Sequence, residues 1–226
     1  MIHLQRDAAE HLAWAVVQLL ALCVVAATVG LALLGWGVGI ACVVATHVLV
    51  RRAMRRHAAP ALGPADRITL VRASLTAVLA ALVVGGAEPG IVVVLGTLAL
   101  LSDFLDGQVA RRTGTVSVFG ARLDMEVDAF LILVLSAHVA TACGAWVLAI
   151  GAMRYAFVVA SWWWPRLRGD VPPSFARKTV AALQGIVLVT AASGVVPHAG
   201  VLVLLALLAL VWSFGRDLLW LSSSRT

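Results

Sequence analysis

Long apolar runs alternate along the chain with short polar or glycine-rich breaks, and each run approaches the length of a bilayer-crossing helix. Eight such segments stand out, at 12–34, 35–50, 68–84, 90–109, 120–140, 145–163, 179–195 and 200–214, the second being the shortest. The breaks read GWGVG, GGAEPG, RRTGTVSVFG, TACG, PRLRGDVPPS and VVPHAG, rich in the residues that end helices or turn the chain. The segment 53–66, AMRRHAAPALGPAD, reads as a linker between the first two runs and the other six. The pattern predicts an all-α integral membrane protein. A six-helix transmembrane core at 58–226 is preceded by a two-helix N-terminal hairpin at 1–57, eight spans in total.

The basic residues test this division. Arg6 precedes the first segment, and Arg51, Arg52, Arg55 and Arg56 follow the second. Arg111 and Arg112 lie between the fourth and fifth, Arg166, Arg168, Arg177 and Lys178 between the sixth and seventh, and Arg216 and Arg225 after the eighth. The alternate connections, at 35–39, 85–89, 141–144 and 196–199, hold no Lys or Arg. The positive-inside rule then predicts a multi-pass protein of the cytoplasmic (inner) membrane with both termini on the cytoplasmic side. Trp162, Trp163 and Trp164 fall where an interfacial belt is expected, and Trp36 and Trp146 at the opposite face.

Composition agrees: 62% of the 226 residues are hydrophobic and 12% charged, against about half and about a quarter in soluble domains. Mean hydropathy is +1.01. The net charge of +6 follows the loops of this topology rather than forming a nucleic-acid-binding stripe, so no nucleic-acid partner is expected. Cys23, Cys42 and Cys143 lie in apolar runs without metal-ligand spacing and read as small buried hydrophobes.

Against this background the stretch SDFLDGQVARRTGTVSVFGARLDMEVDAF, 102–130, is anomalous. Asp103 and Asp106 are three residues apart, Asp124 and Asp128 four, so each pair shares a helix face. A turn near Thr113–Gly114 would bring all four carboxylates to one point at the cytoplasmic face. Ionised carboxylates repel one another and are costly to desolvate, so they need cations. Oxygen-only donors favour a hard ion such as Mg²⁺ or Mn²⁺, and four carboxylates balance two divalent ions, which can hold a diphosphate. Gly107, Ala110 and Gly120 strip side chains from the same faces, either for close helix packing or for approach of a nucleobase or phosphate. A membrane cation transporter or metal-binding membrane protein would also use intramembrane acids, but needs no such small-residue pattern.

The full pattern, Asp103-x2-Asp106-Gly107-x2-Ala110-Arg111-x8-Gly120-x3-Asp124-x3-Asp128, resembles at every fixed position the signature of the CDP-alcohol phosphotransferase family of membrane enzymes. The resemblance covers the six-helix part and not the hairpin. It implies transfer of a substituted phosphate, usually a phosphatidyl group from CDP-diacylglycerol, to a hydroxyl acceptor with release of CMP in phospholipid biosynthesis. It further implies Asp103, Asp106 and Asp124 as metal ligands. Asp128 would sit at the second metal and act as base toward the acceptor hydroxyl, while Gly107, Ala110, Arg111 and Gly120 would line a CDP site shared with Asp103. A homodimer is implied as well.

PADRITLVR, at 64–72, is similar to a family segment reading Pro-Asn-x-x-Thr-x-x-Arg, with Asp66 where Asn is common. Asp66 and Thr69 join the nucleotide site on that basis, and Arg72 either binds phosphate or snorkels. Arg154 lies inside an apolar run. With Arg122, Arg166, Arg168, Arg177 and Lys178 it is a candidate for binding an anionic acceptor of glycerol phosphate or inositol phosphate type, ordinary topology being the competing account. ARKTVAALQG, 176–185, is similar to a Lys-Thr…Gln segment of glycerophosphate-accepting relatives. Glu126 falls between two motif aspartates but off their face, and His47, His138 and His198 read as isolated.

Overall fold

In the computed structural model, residues 2–57, 62–113, 118–164 and 174–223 are described, with side chains at 10, 12–52, 54, 62–105, 107–109, 119–164 and 174–220. Each apolar run becomes a helix because lipid offers no partner to backbone polar groups, which must then bond within the helix. In chain order the helices are α1 (Ile2–Val29), α2 (Leu33–His57), α3 (Pro64–Val84), α4 (Pro89–Thr113), α5 (Val118–Cys143), α6 (Leu148–Trp163), α7 (Phe175–Ala192) and α8 (Ala199–Ser223). No strand occurs among the described residues. All eight helices are long and apolar enough to cross a membrane, and the chain is an all-α, multi-pass membrane protein. The helices fall into two compact units, residues 1–131 and 132–226, whose boundary lies within α5.

In the first unit α3 packs against α1, α2 and α4 and is the most buried helix of the chain. Its start is set by local chemistry. Pro64 takes the first position, and the Asp66 carboxylate accepts the Gly63 N–H at 2.8 Å, placing an acid at the positive end of the helix dipole. Gly86, at φ +80°, turns the chain out of α3. Glu10 of α1 meets Arg67 of α3, and Gln18 of α1 meets Ser74 of α3, so the two helices run parallel.

The first break lies earlier than the sequence suggests. GWGVG, expected as a turn, is helical, and the chain leaves α1 at Gly30, φ +82°. The glycines serve packing instead. A Cβ on Gly35 would lie 2.6 Å from the Ala81 carbonyl oxygen, and one on Gly39 would lie 2.7 Å from a Leu22 methyl. Gly37, off that face, would meet nothing within 4 Å. This is the small-xxx-small device by which membrane helices approach closely. Trp36, in the first turn of α2, packs against the Leu22–Val78–Ala81–Leu82 cluster. Cys23, expected to be buried, is exposed on α1.

In the second unit, Gly144 at φ +103° ends α5, and a short 3₁₀ turn, Ala145–Val147, leads into α6. α6 crosses α5 at Gly151, where a Cβ would come 2.4 Å from the Leu133 Cα. The obstacle is backbone, which cannot rotate away. Gly151→Val is therefore expected to cost about 1–3 kcal/mol, typical of overpacking, and to lower the thermal unfolding midpoint in detergent. Gly37→Val, facing open space, is the control. α7 and α8 are joined where buried Gln184 donates through Nε2 to the Ala206 carbonyl at 2.8 Å. Phe157 of α6 meets Phe214 of α8 edge-to-face, ring centroids 5.7 Å apart. The three tryptophans closing α6 are exposed, as an interfacial belt requires.

Candidate active site

Three helices of the first unit build one polar cluster. Asp103 is carried by α4, Asp124 and Asp128 by successive turns of α5, and Arg72 by α3. One carboxylate oxygen from each aspartate lies within 4.8 Å of the others. The Arg72 side chain is fully buried, whereas Asp103, Asp124 and Asp128 side chains keep 45%, 36% and 42% of their surface exposed. Arg72 Nη1 reaches Asp103 Oδ1 at 2.5 Å and Asp128 Oδ1 at 3.3 Å, and Nη2 pairs with Asp124 Oδ1. The guanidinium thus forms the floor of the site and the carboxylates its mouth. Its planar fork suits this task, since its two terminal nitrogens serve different carboxylates.

Asp66 and Thr69 lie on the same face of α3 as Arg72, at three-residue spacing, and all three are buried. Asp66 caps the helix, and Thr69 Oγ1 donates to the Ala65 carbonyl at 3.2 Å, so both also order the first turn of α3. Gly107 on α4 and Gly120 on α5 are half-buried. Ala110 and Arg111 are in α4; their side chains, that of Asp106, and the expected turn at Gly114 lie outside the described residues, as do Arg166 and Arg168. Arg122 and Glu126 are exposed on α5.

In the second unit Arg154 is half-buried in α6, Lys178 is exposed, and Arg177 pairs with Asp217 of α8 at 3.2 Å. Arg216 stacks over Trp212 and donates to Ser174 Oγ at 2.9 Å.

Two features escaped the sequence. Arg72, a candidate phosphate ligand or snorkelling residue, is instead fully buried and paired with three motif aspartates. His47, read as isolated, has its Nε2 3.1 Å from Gln18 Oε1.

The cluster can hold cations. Among the ion pairs of the described residues, one guanidinium meets three carboxylates, which leaves negative charge in excess, and every donor the aspartates offer is a hard oxygen. The donor set therefore fits a divalent ion of the Mg²⁺ or Mn²⁺ kind.

The description of the CDP-alcohol phosphatidyltransferase family matches residues 62–213, about two-thirds of the chain. The chain belongs to the CDP-alcohol phosphatidyltransferase family. A search among curated proteins and another among solved structures each found no match. Membership makes the protein a membrane-embedded transferase of lipid synthesis that moves a phosphatidyl group from a CDP-alcohol. The matched region opens beside the Gly63 cap of α3 and closes within α8, and so holds Arg72 and every motif aspartate but neither α1 nor α2.

Proposed function

We propose that this phosphatidyltransferase takes its phosphatidyl group from CDP-diacylglycerol and delivers it to a hydroxyl of a phosphorylated polyol, of the glycerol phosphate or inositol phosphate type, releasing CMP. The observation that carries the reading is the convergence of Asp103, Asp124 and Asp128 on one point inside the region that matches the family.

Asp103, Asp106, Asp124 and Asp128 would hold two divalent ions. When bound, these supply charge neutralisation for the diphosphate and for the CMP that departs. The chain's own residues account for the rest. Gly107, Ala110, Arg111 and Gly120, with Asp66 and Thr69 of α3, are the residues offered to the cytidine and its phosphates. Asp128 accepts the proton of the acceptor hydroxyl as that oxygen forms its bond to the lipid-bearing phosphorus. The phosphorus–oxygen bond to CMP breaks in the same displacement, and CMP leaves with the electron pair. No covalent enzyme intermediate is required. Arg122, Arg154, Arg177 and Lys178 are the cations offered to the phosphate of the acceptor, and Arg72 aligns the carboxylates.

The alternation of Lys and Arg among the loops supports a cytoplasmic membrane location with both termini and the site on the cytoplasmic side. The acyl chains of the donor then stay in the bilayer while its head group reaches the aspartates. The hairpin 1–57 is an addition to a six-helix catalytic core at 58–226, and family resemblance supports a homodimer.

Purified protein given CDP-diacylglycerol and a panel of acceptors is expected to release CMP with Mg²⁺ or Mn²⁺ and to stop when EDTA is added. Product mass identifies the acceptor. Absence of CMP across the whole panel with both metals present would count against the reading.

A further inference from the structure

Family membership assigns no task to α1 and α2, which lie outside the matched region. These two helices are nevertheless fastened to the helices that carry the site, and at three places. At the start of α3, Glu10 pairs with Arg67 at 3.0 Å. Two turns deeper, Gln18 is buried, at 2% exposure, and donates through Nε2 to Ser74 Oγ at 3.0 Å, while its Oε1 meets His47 Nε2. The Ser74 hydroxyl spends its own proton on the Leu70 carbonyl, so its oxygen is the acceptor toward Gln18. A side-chain amide within a lipid-spanning helix is unfavourable without partners, and here they come from α2 and α3.

The third fastening is apolar. Val50 and Met54 of α2 and Trp14 of α1 pack in one cluster with Leu62, Leu70 of α3, and Phe119 and Leu123 of α5. Leu70 lies two residues before Arg72, and Leu123 is the neighbour of Asp124. The hairpin therefore grips the same helix turns that carry the arginine and one of its carboxylates. Displacements well below a helix radius are enough to spoil a site of this kind.

We propose that the N-terminal hairpin is a brace that fixes the spacing of α3 and α5 at the carboxylate–arginine site, with Gln18, Ser74 and Met54 as positioning residues. The proposal rests on the active-site reading above. It gives a two-helix extension a catalytic purpose without contact to the reacting atoms.

The test uses the full-length protein in lipid nanodiscs, with Mn²⁺ alone as the probe, read by loss of its free-ion EPR signal, and thermal unfolding alongside. Gln18→Leu keeps bulk and removes both hydrogen bonds; Met54→Ala opens the apolar cluster. Each is expected to weaken Mn²⁺ binding about tenfold, the lower end of what supporting residues contribute at metal sites. Ser74→Ala should follow them, and Ser74→Thr, which keeps the hydroxyl, should bind as wild type. Unchanged Mn²⁺ affinity in the folded variants overturns the brace even where the unfolding midpoint drops. If Gln18→Leu does not fold, Ser74→Ala against Ser74→Thr decides on the same criterion. Asp124→Asn separates the two readings. Loss of Mn²⁺ in that variant alone leaves the site standing and removes the brace, whereas full Mn²⁺ binding by it removes the site itself.

Discussion

Asp128→Asn is expected to cut CMP release from CDP-diacylglycerol at least about a hundredfold, the usual contribution of a positioned general base. The variant should stay folded and keep part of its divalent-ion binding. Asparagine is nearly isosteric and can still accept a hydrogen bond from Arg72, so the α3–α5 contact survives, but its amide cannot take up the acceptor proton. Asp128 Oδ1 lies 3.3 Å from Arg72 Nη1, so the carboxylate that asparagine replaces belongs to the same cluster. Measuring turnover, Mn²⁺ titration and thermal unfolding on one preparation separates a lost base from a lost fold. Wild-type turnover would refute the assignment.

Arg72→Met is expected to lower stability by about 3 kcal/mol, near the bottom of the range for removing one partner of a buried ion pair. The low end applies because the three carboxylates are half-exposed and water can still reach them. Without the guanidinium the carboxylates lose a buried positive charge, so the loss should be largest in EDTA and mostly recovered by saturating Mg²⁺ or Mn²⁺. Arg72→Lys should recover only part, because a point charge on a flexible stem cannot present two terminal nitrogens to separate carboxylates. Thermal unfolding of the three proteins with and without divalent ion checks this. An unfolding midpoint for Arg72→Met that does not respond to the ion would show that the arginine does not balance the aspartates.

What could be read from the sequence has a common character: it is periodic or local. The helices and their count follow from uninterrupted apolar runs, checked by the alternating loop charges, and the aspartate pairs from three- and four-residue spacings that put both acids on one helix face. The misplaced first break has the opposite character. Glycines at 35, 37 and 39 look alike in sequence, yet 35 and 39 are notches for neighbouring helices and the chain turns at Gly30. Which use a glycine serves depends on what packs against it. The partners of Arg72 lie 31, 52 and 56 residues away, and Gln18 bonds a serine 56 residues on. Single polar residues in apolar helices carry no pattern that names such partners, so the motif showed where acids gather but not which base sits beneath them.

The arrangement of Arg72 below and the aspartates above it has a further consequence for behaviour in salt. A charge shielded from solvent is screened far less by mobile ions than one at the surface, where the Debye length is about 8 Å at physiological ionic strength. Potassium chloride should therefore weaken the attraction of the outward-facing oxygens for incoming ions while leaving the buried guanidinium's hold on them nearly intact. The scaffold of the site and its capture of ligand would then respond separately to ionic strength.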